Sequence, residues 1–506
     1  MTRLVLAVDL GSGGPKVGYV TTTGEPVWWW HERTDAVTGA EVQDAEEWWT
    51  TIVAAARRGI VEGGVDGAAV VGVAVTGQWA STVPVDASGR PVAECLMWSD
   101  TRGAEHSGAA FGGPVAGYSP RALATWLRRS GGIPSPTGAD PVAHMLHLDR
   151  DRPEVAAAAR WYLEPVDYLT MRFTGVAAAT SMSMTAAWLT DNRDLDVLAY
   201  DPTLVRLAGV NPDRLPPLVA SGSVVGTVLP EVAAAIGIPA DARVVTGTPD
   251  LHNATVASGC VTSLRPHLSL GTSAWISCPV PAKKSDVIRQ MASIPGLGDG
   301  QYLLANNQDS AGRALEWFRA AVAPESSYAE IEALAATSPP GANRVLFTPW
   351  LTGERSPIDD RRARGGFHNV SLDSTRADLA RAVLEGVALN LRWLLGGAEK
   401  FAGTRFDPIR VLGGGARMDL WCQVLADVCD RTLERVADPL VGGLRGCGLY
   451  VGLALGDVTA DRLADLVPVD RVFTPDPATR PTYDALFREF PGLHGHNKRM
   501  FARLNG

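Results

Sequence analysis

A short pattern occurs twice in this chain, and its repetition sets the architecture. Asp9-Leu10-Gly11-Ser12 ends an apolar run from Val5 and opens a glycine turn. Ser269-Leu270-Gly271-Thr272 does the same 260 residues later. In each copy a buried strand runs into Leu, Gly and a hydroxyl, and a second strand leaves. A repeat this long reads as a duplicated domain, and 506 residues are too many for one core. The expected halves are residues 1–258 and 259–506. Turn amides and the Ser12 hydroxyl can cradle phosphate oxygens, and Lys16 adds a positive charge. Asp9 stands where a strand delivers a carboxylate to a magnesium ion. The second copy has Ser269 at that place, so only the first would hold metal. Taken alone, the stretch reads equally well as a tight hairpin with an acid at its edge.

The rest of the first half reads as α/β. A third strand spans residues 25–33 and includes Trp28, Trp29 and Trp30. Residues 43–61 form a helix, with Trp48, Ile52, Ala55, Ala56 and Ile60 at helical spacing. The valine-rich run 68–76 has the character of an inner strand of a mostly parallel sheet. Residues 82–85 and 90–92 suggest a hairpin around Asp86-Ala87-Ser88-Gly89, and residues 96–102 a strand end with polar groups at its lip. Residues 103–240 form an insertion capping this sheet, with helices over 155–161, 166–173 and 231–236. Residues 243–250 read as one strand ending on Asp250, followed by a small-residue helix.

In the second half, helices are expected over 309–322, 376–401, 420–429 and 442–455. Strands are expected over 345–350 and at 409–412 before Gly413-Gly414-Gly415. Residues 351–366, with Glu354, Arg355, Asp359 and Asp360, read as a solvated ion-pair loop. The last 35 or so residues carry no legible chemistry.

Composition narrows the function. A chain with 46% hydrophobic and 20% charged residues is globular, and its net charge of −9 argues against nucleic acid as partner. The six cysteines have no metal-ligand or disulfide spacing, which suits free thiols in the cytoplasm. The histidines show no ligand spacing. No apolar run is long enough to cross a membrane. The glycine clusters match neither a P-loop nor a dinucleotide fingerprint.

Taken together and in order, the motifs resemble the FGGY family of carbohydrate kinases, nearest to its xylulokinase-like members, over almost the whole length. The matching residues include Asp9-Leu10-Gly11-Ser12 with Lys16, Gly77-Gln78, Trp98 to Arg102 and Pro165 to Leu169. They continue through Leu215 to Leu218, Asp250, Leu270 to Ser273, Thr352 to Pro357, residues 365–385 and Gly413 to Ala416. The resemblance implies two ribonuclease-H-like domains, of the actin and sugar-kinase superfamily, closing over ATP and Mg2+. It places the sugar and the catalytic acid in the first and the nucleotide in the second.

The resemblance also implies roles. Asp250 would be the base that accepts the proton of the attacking hydroxyl and, with Asp9, would face the metal. Gly11, Ser12, Lys16, Gly271 and Thr272 would wrap the phosphates. Gly312 and Gly413, Gly414 and Gly415 would admit ribose and adenine, because side chains there would strike the nucleotide. Gln78, Trp79, Trp98, Asp100 and Arg102 would contact a small sugar or polyol. No membrane is implied, and a homodimer is an allowed assembly. The sequence departs from the family at Trp79-Ala80, where xylulokinases have Met-His, at Leu251, where they have Asn, and at Asn369, where the signature expects Gly. An actin- or Hsp70-like ATPase acting on protein, and a degenerate sugar sensor, are the alternative readings.

Overall fold

The computed structural model describes residues 2–505, except 12, 33–40, 112, 115–117 and 299. Ser12 therefore lies outside the described residues. The first half is built on a seven-stranded sheet in the order Pro26–His31, Gly14–Thr21, Leu4–Gly11, Val70–Gly77, Arg243–Val245, Val224–Thr227, with Thr248–Pro249 also pairing with Val70–Gly77. The second half has a five-stranded sheet in the order Ala274–Ser277, His267–Leu270, Ile409–Leu412, Leu433–Val436, Val469–Phe473. From the hairpin onward, both sheets show the same succession: an antiparallel pair, two parallel pairs, then an antiparallel edge. The duplication read from two tetrapeptides is thus a duplication of topology. Both sheets are mixed and flanked by helices.

Strand periodicity explains how the first sheet is covered. Leu4, Leu6, Val8 and Leu10 face the helix Ala45–Val61, packing with Trp48 and Ile52. Val5 and Ala7 face the other way, onto Leu444, Cys447 and Tyr450 of the helix Gly442–Leu455. A helix from late in the chain thus covers the back of the first sheet. Burying each such side chain is worth about 2 kcal/mol. Along Leu4–Gly11, Asp9 and Gly11 are the residues that stay partly open.

Several expectations need adjustment. Val83–Val85 ladders with Trp161–Leu163 in addition to pairing with the 90–92 arm. The turn at Asp86 forms as expected, with Val85 bridging Pro91 and the Asp86 and Val92 amides donating to the Arg90 and Pro84 carbonyls on either side, both at 2.9 Å. Trp161 accordingly lies in a strand, beyond the helix Pro153–Ala158. The strand ending on Asp250 is broken at Thr246-Gly247, and Asp250 starts the helix Asp250–Ala257. The loop 351–366 is solvated only in part: Asp359, Arg361 and Arg362 are exposed, but Glu354 is fully buried, accepting from the Asp309 and Arg355 amides at 3.0 and 2.9 Å and from Asn390 Nδ2 at 2.6 Å. Finally, the chain ends in a long helix, Arg480–Asn505, that buries Tyr483, Leu486 and Phe490 despite Pro491. Among the described residues no helix is long and apolar enough to cross a membrane.

Candidate active site

The register of three strands brings the proposed acids together. Asp9 pairs with Thr76, and Thr76 pairs with Thr248. Asp250 then follows Thr248 by two residues, at the first turn of its helix. Asp9 also faces Lys16 across the hairpin, with Nζ 3.2 Å from Oδ2. Burial pushes the Asp250 carboxyl up to about 7, and the charge of Asp9 adds to the rise. The Leu251 amide donates to Asp250 Oδ1 at 2.7 Å and opposes it. The carboxylate is therefore poised near neutrality, where a general base works best.

Sequence reasoning missed what supports Asp9 from behind. The helix Gly442–Leu455 begins against it, and a Cβ on Gly443 would sit 2.3 Å from Asp9 Oδ2. Only glycine allows this approach. Asn253 Nδ2 donates to the Gly443 carbonyl at 2.8 Å, tying the Asp250 helix to the same point. The signal in the sequence was the small-residue spacing of residues 442–452, which read only as a buried helix.

The other glycines divide into two groups. Gly11 and Gly271 have no heavy atom closer than 3.7 and 3.6 Å to an added Cβ, and Gly414 has none within 4 Å. The space before these backbones is open, as a cradle for phosphates or nucleotide requires. Gly312, Gly413 and Gly415 are glycine for a different reason from the one expected. A Cβ on Gly312 would meet the Gly271 carbonyl at 2.6 Å, one on Gly413 the Leu270 carbonyl at 2.6 Å, and one on Gly415 the Leu270 side chain at 2.7 Å. They let two chain segments, at Gly312 and at Gly413–Gly415, converge on the second hairpin, so a side chain there would strike protein. Thr272 is exposed at the tip, its carbonyl accepting from the Ala311 and Arg313 amides.

Of the residues expected on the sugar side, Gln78 follows the strand Val70–Gly77. Trp98, Asp100 and Arg102 follow the short strand Cys95–Leu96, which pairs with Val42–Gln43 outside the large sheet. Gln78 is buried, with its amide bonded to the Leu10 carbonyl at 2.8 Å and its side-chain Oε1 unpartnered among the described residues. Asp100 is fully buried and grips Arg102, accepting from Nε at 2.9 Å and Nη2 at 2.6 Å. Arg102 remains 36% exposed, so it is the member of the pair that can reach a ligand. His144 Nε2 lies 3.2 Å from the Asp100 carbonyl and fixes the turn. Trp98 packs on the first core, and its amide donates to Ser81 Oγ.

The departures have structural causes. Leu251 lies in an apolar cluster with Ile294 and Leu303, against which Trp79, Trp188 and Trp275 pack. Part of the Trp79 ring is therefore core, and its Nε1 donates to the Ser183 carbonyl at 2.8 Å. His252 meets Trp79 edge-on, ring centroids 6.1 Å apart. Ala80 takes a left-handed φ of 63° beside this pocket, a conformation alanine rarely adopts. Asn369, at φ 60°, is one of the few residues that replaces glycine there cheaply.

The donors suit a hard divalent cation. Asp9 and Asp250 are partly open carboxylates, and oxygen ligands are what Mg2+ takes.

Comparison with known proteins fits this geometry. The profile for the N-terminal domain of the FGGY family of carbohydrate kinases matches residues 4–257, and that for its C-terminal domain residues 267–447. A xylulose kinase of Staphylococcus epidermidis is 26% identical, over 99% of this chain and 98% of its own. A gluconokinase of Bacillus subtilis is 23% identical, over 82% and 80%. Among solved structures, a xylulose kinase from Rhodospirillum rubrum superposes with a TM-score of 0.82 at 26% identity, covering 99% of this chain and all of that one. A gluconate kinase from Lactobacillus acidophilus gives a TM-score of 0.86 at 20% identity, with both chains fully covered.

Proposed function

The chain belongs to the FGGY family of carbohydrate kinases, and on that premise we propose that it transfers the γ-phosphate of ATP to a hydroxyl of a small sugar or polyol. Asp250 is the base. The observation that carries this reading is its carboxyl, lifted to about 7 by burial and standing in register with the Asp9–Lys16 pair. At pH 8 most of it is ionised and can take the proton of the attacking hydroxyl. Arg102, held by Asp100, orients the sugar, and Gln78 offers an unspent acceptor beside it. Lys16 and the open backbones at Gly11, Gly271 and Gly414 receive the triphosphate. Asp9 and Asp250 would hold Mg2+, which supplies charge neutralisation on the phosphates.

Xylulose and gluconate are the substrates named for relatives, and both are polyhydroxylated chains. Leu251 and Trp79 put an apolar wall where xylulokinases have polar groups, which favours a substrate with a different hydroxyl pattern from D-xylulose. The test is an ADP-release screen over ketopentoses, pentitols, ketohexoses, tetritols and gluconate. We expect ATP turnover to depend on one of these classes. Turnover that stays the same with and without every sugar would refute the reading and favour an ATPase acting elsewhere.

A further inference from the structure

The histidines, which show no ligand pattern in sequence, include two that the fold brings together. His106 lies on the helix Ala104–Phe111, and His147 and Asp151 lie one turn apart on the helix Pro141–Asp151. The donor atoms of these three residues lie within 4.8 Å of one another. Asp151 Oδ2 is 2.6 Å from His106 Nε2 and 2.7 Å from His147 Nδ1. Glu105 Oε1 stands 3.8 Å from His106 Nε2 and offers a fourth donor, a second oxygen. Among the described residues no other three His, Cys, Asp or Glu side chains gather in this way.

We propose that His106, His147 and Asp151 form a binding site for a zinc-class divalent cation. Two imidazoles and a carboxylate are ligands that Zn2+ takes, and residues four apart on a helix present two of them from one face. Tetrahedral ligands at about 2.1 Å from the ion stand about 3.4 Å apart. The pairs at 2.6 and 2.7 Å need to open by less than 1 Å, which side-chain rotation supplies. The imidazoles are mostly buried, at 14% and 13% exposure, while Asp151 is open enough to admit the ion and a water. This site is separate from the Asp9–Asp250 cleft and differs in donors: nitrogen is present here, and only oxygen there.

The location gives the site a consequence. The first helix follows directly on Arg102, and the second carries His144, which bonds the Asp100 carbonyl and Thr82 Oγ1. A bound ion would staple these two helices together just beyond the Asp100–Arg102 turn.

The experiment is calorimetric titration of ZnCl2 into the whole chain, without ATP, sugar or Mg2+, beside His106→Gln, His147→Gln and Asp151→Asn. The six cysteines are buried and do not compete. The wild type is expected to bind one Zn2+ per chain at micromolar concentration, and each substitution to weaken binding at least 10-fold. A crystal soaked in Zn2+ is expected to show an anomalous peak between the three side chains. No binding by the wild type, or equal binding by the wild type and all three variants, would overturn the proposal. Because no nucleotide or sugar takes part, the outcome is independent of the kinase reading.

Discussion

The two hairpins share a backbone and differ in what they carry. In the first, Asp9 faces Lys16 across the ladder, forming a charged pair partly open to solvent. In the second, Ser269 faces Trp275, whose indole Nε1–H is buried and unpartnered among the described residues. The first copy is backed by Gly443, so close that Asp9 has no room to withdraw. The second is backed by Gly312, Gly413 and Gly415, whose missing side chains let neighbouring backbone close in. One fold unit thus serves two purposes. On the proposed reading, the first copy would supply charge for the reaction, and the second a shaped backbone surface for the nucleotide.

Substitutions can break this contrast, and their effects are ranked. Asp250→Asn removes the base while keeping the shape and the acceptor for the Leu251 amide. Turnover should fall about 10³-fold, with ATP binding retained in a filter or calorimetric assay. Asp9→Ala should cost about 10²-fold or more in kcat, because a fixed charge at the phosphates is lost. Ser269→Ala, its counterpart in the second hairpin, should change kcat less than about 2-fold, since a neutral hydroxyl carries no such charge. Equal losses from these two would dissolve the distinction between the copies.

Gly443→Ala forces a methyl group onto the Asp9 carboxylate. Either the carboxylate or the helix must move, so turnover should drop about 10-fold, with about 1–3 kcal/mol of stability lost to overpacking. Glu354→Ala acts in the second half only. It strands the Asp309 and Arg355 amides and Asn390 Nδ2, and about 2 kcal/mol of stability should be lost in a urea melt. The residual folded enzyme should keep its kcat, because Glu354 touches no residue of the cleft.

Much of this was legible from the sequence. The duplicated tetrapeptide gave the doubled topology because a strand that ends in Leu-Gly-hydroxyl must turn at once. Asp9 and Asp250, the acids proposed for the reaction, lie at or just past strand ends, where α/β folds present polar groups. What escaped was long-range packing. The Gly443 contact joins residues more than 400 positions apart, and nothing local to either marks it. The burial of Glu354 depends on Asn390 from a distant helix, so its charge alone suggested solvent. The terminal helix is held by Tyr483 and Phe490 against Glu385 and Trp350, packing that outweighs the helix-breaking tendency of Pro491. The meeting of His106 with His147 and Asp151 exists only in three dimensions.

The central claim is that Asp250, ionising near neutrality, is the base. The measurement that tests it most directly is the pH dependence of kcat/KM for the substrate that the ADP-release screen selects. A carboxyl raised to about 7 loses its base function as pH falls, so kcat/KM should decline tenfold per pH unit below about 7 and level off above 8. A profile that stays flat down to pH 5 would contradict the account.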